Sequence, residues 1–95
     1  MSATLRLHTL ITGRVQGVSF RYFVLREAQQ LGLRGFVRNA GAQVEVVAEG
    51  EAEKLESLLA QLRIGPFGAR VDNVQHSSGQ AVGGFNGFEI RSTAR

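Results

Sequence analysis

The chain has no cysteine, which excludes a thiolate nucleophile, a thiol-ligated zinc and a disulfide framework, and which suits a reducing, cytoplasmic setting. Asp72 is the only aspartate, so phosphoryl transfer through a pair of aspartates has no basis either. His8 and His76 are the only histidines. They fall on separate predicted strands with no cluster of carboxylates around them, so both read as structural or solvent-facing and no metal site is expected. No apolar run is long enough to span a bilayer, and the stretch from Leu5 to Ile11 is interrupted by Arg6, His8 and Thr9, so neither a signal peptide nor a membrane partner is expected. Charge is modest: the formal balance is +3, Lys54 is the only lysine among 11 basic residues, and no basic block occurs. Such a balance accommodates an anionic small molecule or an ordinary solvated surface and does not by itself point to nucleic acid.

What is present is enough for one small domain, residues 1–95, with a single core. Leu5 to Thr12 alternates with the period of a strand. From Phe20 to Leu31 the residues Phe20, Phe23, Val24, Ala28 and Leu31 recur at helical spacing, and Gly32 supplies a stop. Gly35 to Asn39 and Gln43 to Glu49 read as two strands of a tight hairpin, with Val44, Val46 and Ala48 on one face. A second helix is expected from about Glu51, with Leu55, Leu58, Leu59 and Leu62 as its buried stripe and Gly65 and Pro66 at its end. Ala69 to Gln75 reads as a strand, bulged because Val71 and Val74 break strict alternation. Ser77 to Gly87 reads as a loop, and Phe88 and Ile90 as a short closing strand. The order βαββαβ plus a closing strand predicts an α+β, ferredoxin-like α/β sandwich, with two helices on one face of a mostly antiparallel sheet of four to five strands.

The segment Gly13, Arg14, Val15, Gln16, Gly17, Val18, Ser19, Phe20, Arg21 reads as an anion cradle. Two glycines bracket a turn that enters the first helix, so the backbone of Val15, Gln16, Gly17, Val18, Ser19 and Phe20 can converge N–H groups where the helix dipole favours negative charge. Arg21 adds a fixed charge able to grip a phosphoryl group through two parallel bonds. A helix start capped by the Ser19 hydroxyl is the alternative reading of the same residues. Arg14 and Arg38 flank the segment and read as solvated surface; Tyr22, Phe23 and Phe36 read as core or pocket wall.

Gly-x-Val-Gln-Gly-Val-x-Phe-Arg, unbroken from Gly13 to Arg21, resembles the signature of the acylphosphatase family. The likeness continues through Ala28, Gly32, the run Gly35 to Asn39, the spacing from Val44 to Gly50, and the stretch Gly65 to Asp72. It implies the same ferredoxin-like fold and hydrolysis of a small acyl phosphate to a carboxylate and inorganic phosphate, without metal or organic cofactor. In the family the arginine and asparagine at these motif positions are the catalytic pair, which carries over to Arg21 and Asn39. On the residues alone, Asn39 reads first as a turn former and only second as an amide that both donates and accepts and so can orient a water; the resemblance reverses that order. An acyl phosphate has a good leaving group, so binding, charge neutralisation and a placed water suffice.

The family usually has three residues and then glycine after the asparagine, whereas here Ala40, Gly41, Ala42 and Gln43 follow Asn39. The hairpin is therefore expected to be tightened, with Gly41 at the positive-φ position. Ser19 has no evident base beside it and is not expected to attack phosphorus. A catalytically weak phosphate- or partner-binding module is the second reading. A nucleic-acid platform, suggested by Arg34, Gly35, Phe36 and Val37, is the third, and it lacks the aromatics on Gln43 to Glu49 that such a surface needs. The expected state is a monomer without nucleic acid.

Overall fold

The alternation at the start of the chain becomes strand β1, Thr4–Arg14, with Leu7, Thr9 and Ile11 buried on one face. A computed structural model describes residues 4–17 and 19–93. After β1 come helix α1 (Phe20–Gln30), strands β2 (Arg34–Ala40) and β3 (Gln43–Glu51), helix α2 (Ala52–Ile64), strand β4 (Arg70–Gln80) and strand β5 (Phe88–Ile90). The strand order is β4-β1-β3-β2-β5, antiparallel throughout except for the β2–β5 pair. This is the α+β, ferredoxin-like arrangement expected from the order of elements.

One face of the sheet carries the core. Ile11, Val44, Val46 and Val37 are fully buried there against Val24 and Ala28 of α1 and Leu58 and Leu62 of α2. Both helices therefore follow their apolar stripes rather than intrinsic propensity. α1 ends where expected: the Gly32 N–H donates to the Gln29 carbonyl and the Leu33 N–H to the Ala28 carbonyl, with Gly32 at φ 69°. That is the double bond pattern of a Schellman stop, and only a residue free of a Cβ takes its φ without strain.

Two expectations need correction. β4 does not end at Gln75 but runs to Gln80, with Leu5 to His8 pairing Gln80 to Ser77. The Ser/Gly-rich segment thus contributes to an edge strand, because the paired main chain of β1 supplies the bonds that its side chains do not. β1 likewise extends through Gly13 and Arg14, so Gly13 belongs to the strand and not to the turn of the cradle. A Cβ at Gly13 would lie 2.1 Å from the Arg70 carbonyl oxygen, which fixes glycine there by close approach of β4. The expected bulge is present beside it: Thr12 pairs Asn73 and Gly13 pairs Val71, leaving Asp72 without a partner.

The opposite face of the sheet is polar and charged. The Arg6 Nε donates to Glu49 at 2.8 Å, and the same carboxylate accepts the N–H groups of Val82 (2.8 Å) and Gly83 (3.0 Å), pinning the 81–87 segment over this face. His8 Nε2 and Arg38 Nε lie 2.7 and 2.6 Å from Glu45. Arg38 is therefore ion-paired here instead of forming solvated surface beside the cradle. Phe36 is 7% exposed, with the Arg91 guanidinium 4.2 Å from its ring centre and Phe85 beside it. It offers no free stacking platform, and the nucleic-acid reading draws no support from this face. Tyr22, expected in the core or the pocket wall, is 63% exposed and so outside the core, because it lies off the α1 stripe.

Burial alone would raise the Glu49 carboxyl, but the Val82 N–H, the Arg6 side chain and the Gly83 N–H outweigh it and hold the group below its ordinary value. For Glu45, burial is likewise outweighed by His8 and Arg38. A folded-state value below the unfolded one means that the stabilisation is complete above about pH 4.3 and is lost as pH falls through the lower, folded value. Thermal melts should be steady from pH 7 to 5 and fall steeply in acid. Glu49→Gln should cost about 1–3 kcal/mol at pH 7, with its deficit against the parent shrinking toward pH 3. A deficit that stays constant with pH would contradict this account of the clip.

Candidate active site

The loop between β1 and α1 is fixed at both ends by burial: Val15 and Phe20 are each 1% exposed. Between them the main chain takes unusual conformations, with Gly17 at φ 76° and Ser19 at φ 60°. Ser19 is the one non-glycine residue at positive φ among those described, a conformation that persists only where the surroundings enforce it. Val18, expected in the cradle, lies outside the described residues.

Ser19 occupies the N-cap position of α1, but its hydroxyl makes no capping bond, correcting that expectation. Its left-handed backbone carries the side chain away from the geometry in which a β-region serine reaches the amides of the first turn. The Ser19 carbonyl accepts the first helical bond from the Phe23 N–H at 3.1 Å. No acidic residue stands in the first turn. The leading amides of α1 therefore remain as donors at the positive end of the helix dipole, the arrangement that attracts an anion. Arg21, half-buried in that turn, makes no salt bridge with a carboxylate among the described residues.

Asn39 approaches from β2. It pairs with Val44, which pairs with Ile11, so Asn39 lies at the same end of the sheet as the cradle. It shares the helix-covered face with Val37, two residues earlier. Its Oδ1 is buried and has no hydrogen-bond partner among the described residues. The hairpin beyond it is the tightened one expected: Ala40 pairs Gln43, and Gly41 sits at φ 61°. Positive φ at the first of two loop residues alone is the pattern of a type II′ turn, which matches the twist of the strands it joins.

Sequence reasoning missed one contact. The Gln16 side chain donates through Nε2 to the carbonyls of Gly41 (2.8 Å) and Gln43 (2.9 Å), linking the cradle to the hairpin. Its place inside the motif hinted at a backbone role only. The histidines stay apart, His8 against Glu45 and His76 3.3 Å from Arg63. Among the described residues no group of three or more metal-ligating side chains is assembled, and no helix is long and apolar enough to cross a membrane.

A large cavity of about 620 Å³ lies away from these groups, at the other end of the sheet beside Leu31, Arg34, Lys54 and Val82. A phosphoryl group needs converging amides and a guanidinium, not depth, so cavity size does not identify this site.

Comparison with known proteins agrees with this fold. The family model described as Acylphosphatase matches residues 7–90. An acylphosphatase from Koribacter versatilis is 48% identical over 85 residues, covering 88% of this chain and 77% of that protein. One from Anaeromyxobacter sp. is 47% identical over 92 residues, covering 96% of this chain and 99% of its own. The crystal structure of the acylphosphatase from Bacillus subtilis superposes with a TM-score of 0.88 at 34% identity, covering 92% of this chain and 98% of that one. With its signature, its fold and these relatives in agreement over nearly its whole length, the chain belongs to the acylphosphatase family.

Proposed function

We propose that this chain hydrolyses small acyl phosphates with Arg21 and the 15–20 backbone holding the phosphoryl group and Asn39 aligning the attacking water. Acylphosphatase activity follows from its family; the residue roles are inferred from geometry. The observation that carries them is the buried, unpartnered Oδ1 of Asn39 at the cradle end of the sheet. A buried acceptor without a donor costs about 1–3 kcal/mol; the atom is closed to solvent as it stands, so a shift of the Asn39 amide toward the cradle as substrate and water enter would relieve that cost and aim the water.

In this reading the water oxygen attacks phosphorus in line as the bond to the acyl oxygen breaks. The carboxylate leaves without a proton, and the product dihydrogen phosphate keeps both hydrogens of the water. Negative charge on the phosphoryl oxygens meets Arg21 and the amides at the start of α1 throughout, a preorganised arrangement that needs no reorganisation at the moment of reaction. No step calls on a metal, and all the groups come from one chain, so the active unit is a monomer. The cysteine-free composition suits a cytoplasmic setting.

Arg21→Ala should cut kcat/KM for benzoyl phosphate by about a thousandfold and weaken competitive inhibition by inorganic phosphate. A folded variant with near-normal turnover would remove Arg21 from the mechanism. Asn39→Ala should lower kcat by about a hundredfold or more while the phosphate inhibition constant stays within about twofold. Unchanged kcat would mean that the water is placed by another group. Extended dialysis against a strong chelator should leave turnover intact; loss restored by one divalent metal would defeat the metal-free route.

A further inference from the structure

We infer that the Gln16 side chain is a positioning residue, one that sets Asn39 relative to the phosphoryl cradle by bridging the cradle to the hairpin. The inference rests on the roles proposed for Arg21 and Asn39. Both partners of the Gln16 Nε2 are carbonyl oxygens, of Gly41 and Gln43. The amide nitrogen must therefore face them, and both its hydrogens are used. These carbonyls flank Ala42, the second loop residue, and the first ladder pair below the loop is Ala40 with Gln43, followed by Asn39 with Val44. Gln16 thus grips the hairpin within one ladder step of the residue whose aim matters.

No other side-chain hydrogen bond among the described residues joins the 15–19 segment to β2 or β3. The cradle itself does not need this bridge: Val15 and Phe20 already anchor it in the core. The hairpin is held by its own ladder but, being only two residues long at its tip, has no core residue beyond Val44. Releasing it leaves phosphate binding in place and lets the water-aligning amide drift. A displacement of about 1 Å in a reacting constellation is enough to cost on the order of a hundredfold in rate.

Gln16→Met keeps the length of the side chain and the backbone N–H of the cradle but has no donor. Gln16→Glu keeps the shape and turns a carboxylate toward two carbonyl oxygens. With benzoyl phosphate, Gln16→Met should lower kcat by about ten- to a hundredfold, leave the phosphate inhibition constant within about twofold, and shift the side-chain amide signal of Asn39 in the nitrogen–proton correlation spectrum. Gln16→Glu should fall further at pH 7 and recover relative to Gln16→Met on acidification to pH 5, because protonation restores one donor. A purely structural role predicts no such recovery.

If wild type turns over and Gln16→Met has kcat within twofold of it, or loses kcat and phosphate affinity by the same factor, this inference fails alone. If wild type does not turn over acyl phosphates, the underlying reading fails and this inference with it. If Gln16→Met does not fold, the pH recovery of Gln16→Glu relative to wild type decides: recovery supports the bridge, its absence overturns it.

Discussion

Burial of Val15 and Phe20 at the two ends of the β1–α1 loop is the constraint on which the site depends. With both side chains sealed in the core, the residues between them must cover a fixed distance between a strand end and a helix start. That is why Gly17 and Ser19 are forced to positive φ. Hydrophobic burial thus supports the backbone strain, and the strained backbone turns polar groups outward. The apolar core and the proposed anion site are in this sense one construction, and loosening the first disorders the second.

The sheet separates two kinds of electrostatics. On the helix-covered face Arg21 stands without a carboxylate partner and Asn39 holds an unpaired acceptor among the described residues. On the other face Arg6, Arg38 and His8 are matched to Glu49 and Glu45 at hydrogen-bond distance. Arg6 and Arg38 are thereby each matched by a carboxylate at short range, whereas Arg21 has none among the described residues. In the roles proposed above, stability and substrate attraction are therefore drawn from different residues on different faces.

Much of this was legible in the sequence because it rests on periodicity. The alternation of Val44, Val46 and Ala48 and the leucine stripe of α2 each named the correct buried face. Asn39, two residues after Val37 on the same strand, was on the helix side by the same parity. Gly41 was readable from the length of its turn. What escaped depends on pairing across the chain. Ser77 to Gln80 has no strand pattern of its own and is held by Leu5 to His8. Gly13 is required by a carbonyl 57 positions later, and Gln16 by two carbonyls of a hairpin it does not adjoin in sequence. Ser19 looked like a cap because its residue type is right, while its φ, imposed by Phe20 and Val15, is not.

The unpaired Asp72 has a meaning beyond the register of β1. β4 is an edge strand of 11 residues, and an edge of that length is a template on which a further strand can be laid. The bulge interrupts its outer row of main-chain groups, and the Arg70–Asp72 ion pair at 2.9 Å stands at the interruption. From Gln75 to Gln80 every residue is exposed and polar or glycine, so an added strand would bury almost no apolar surface. The irregularity that marks the approach to the cradle therefore also acts as a guard against edge-to-edge aggregation, built from the residues that interrupt the strand's alternation.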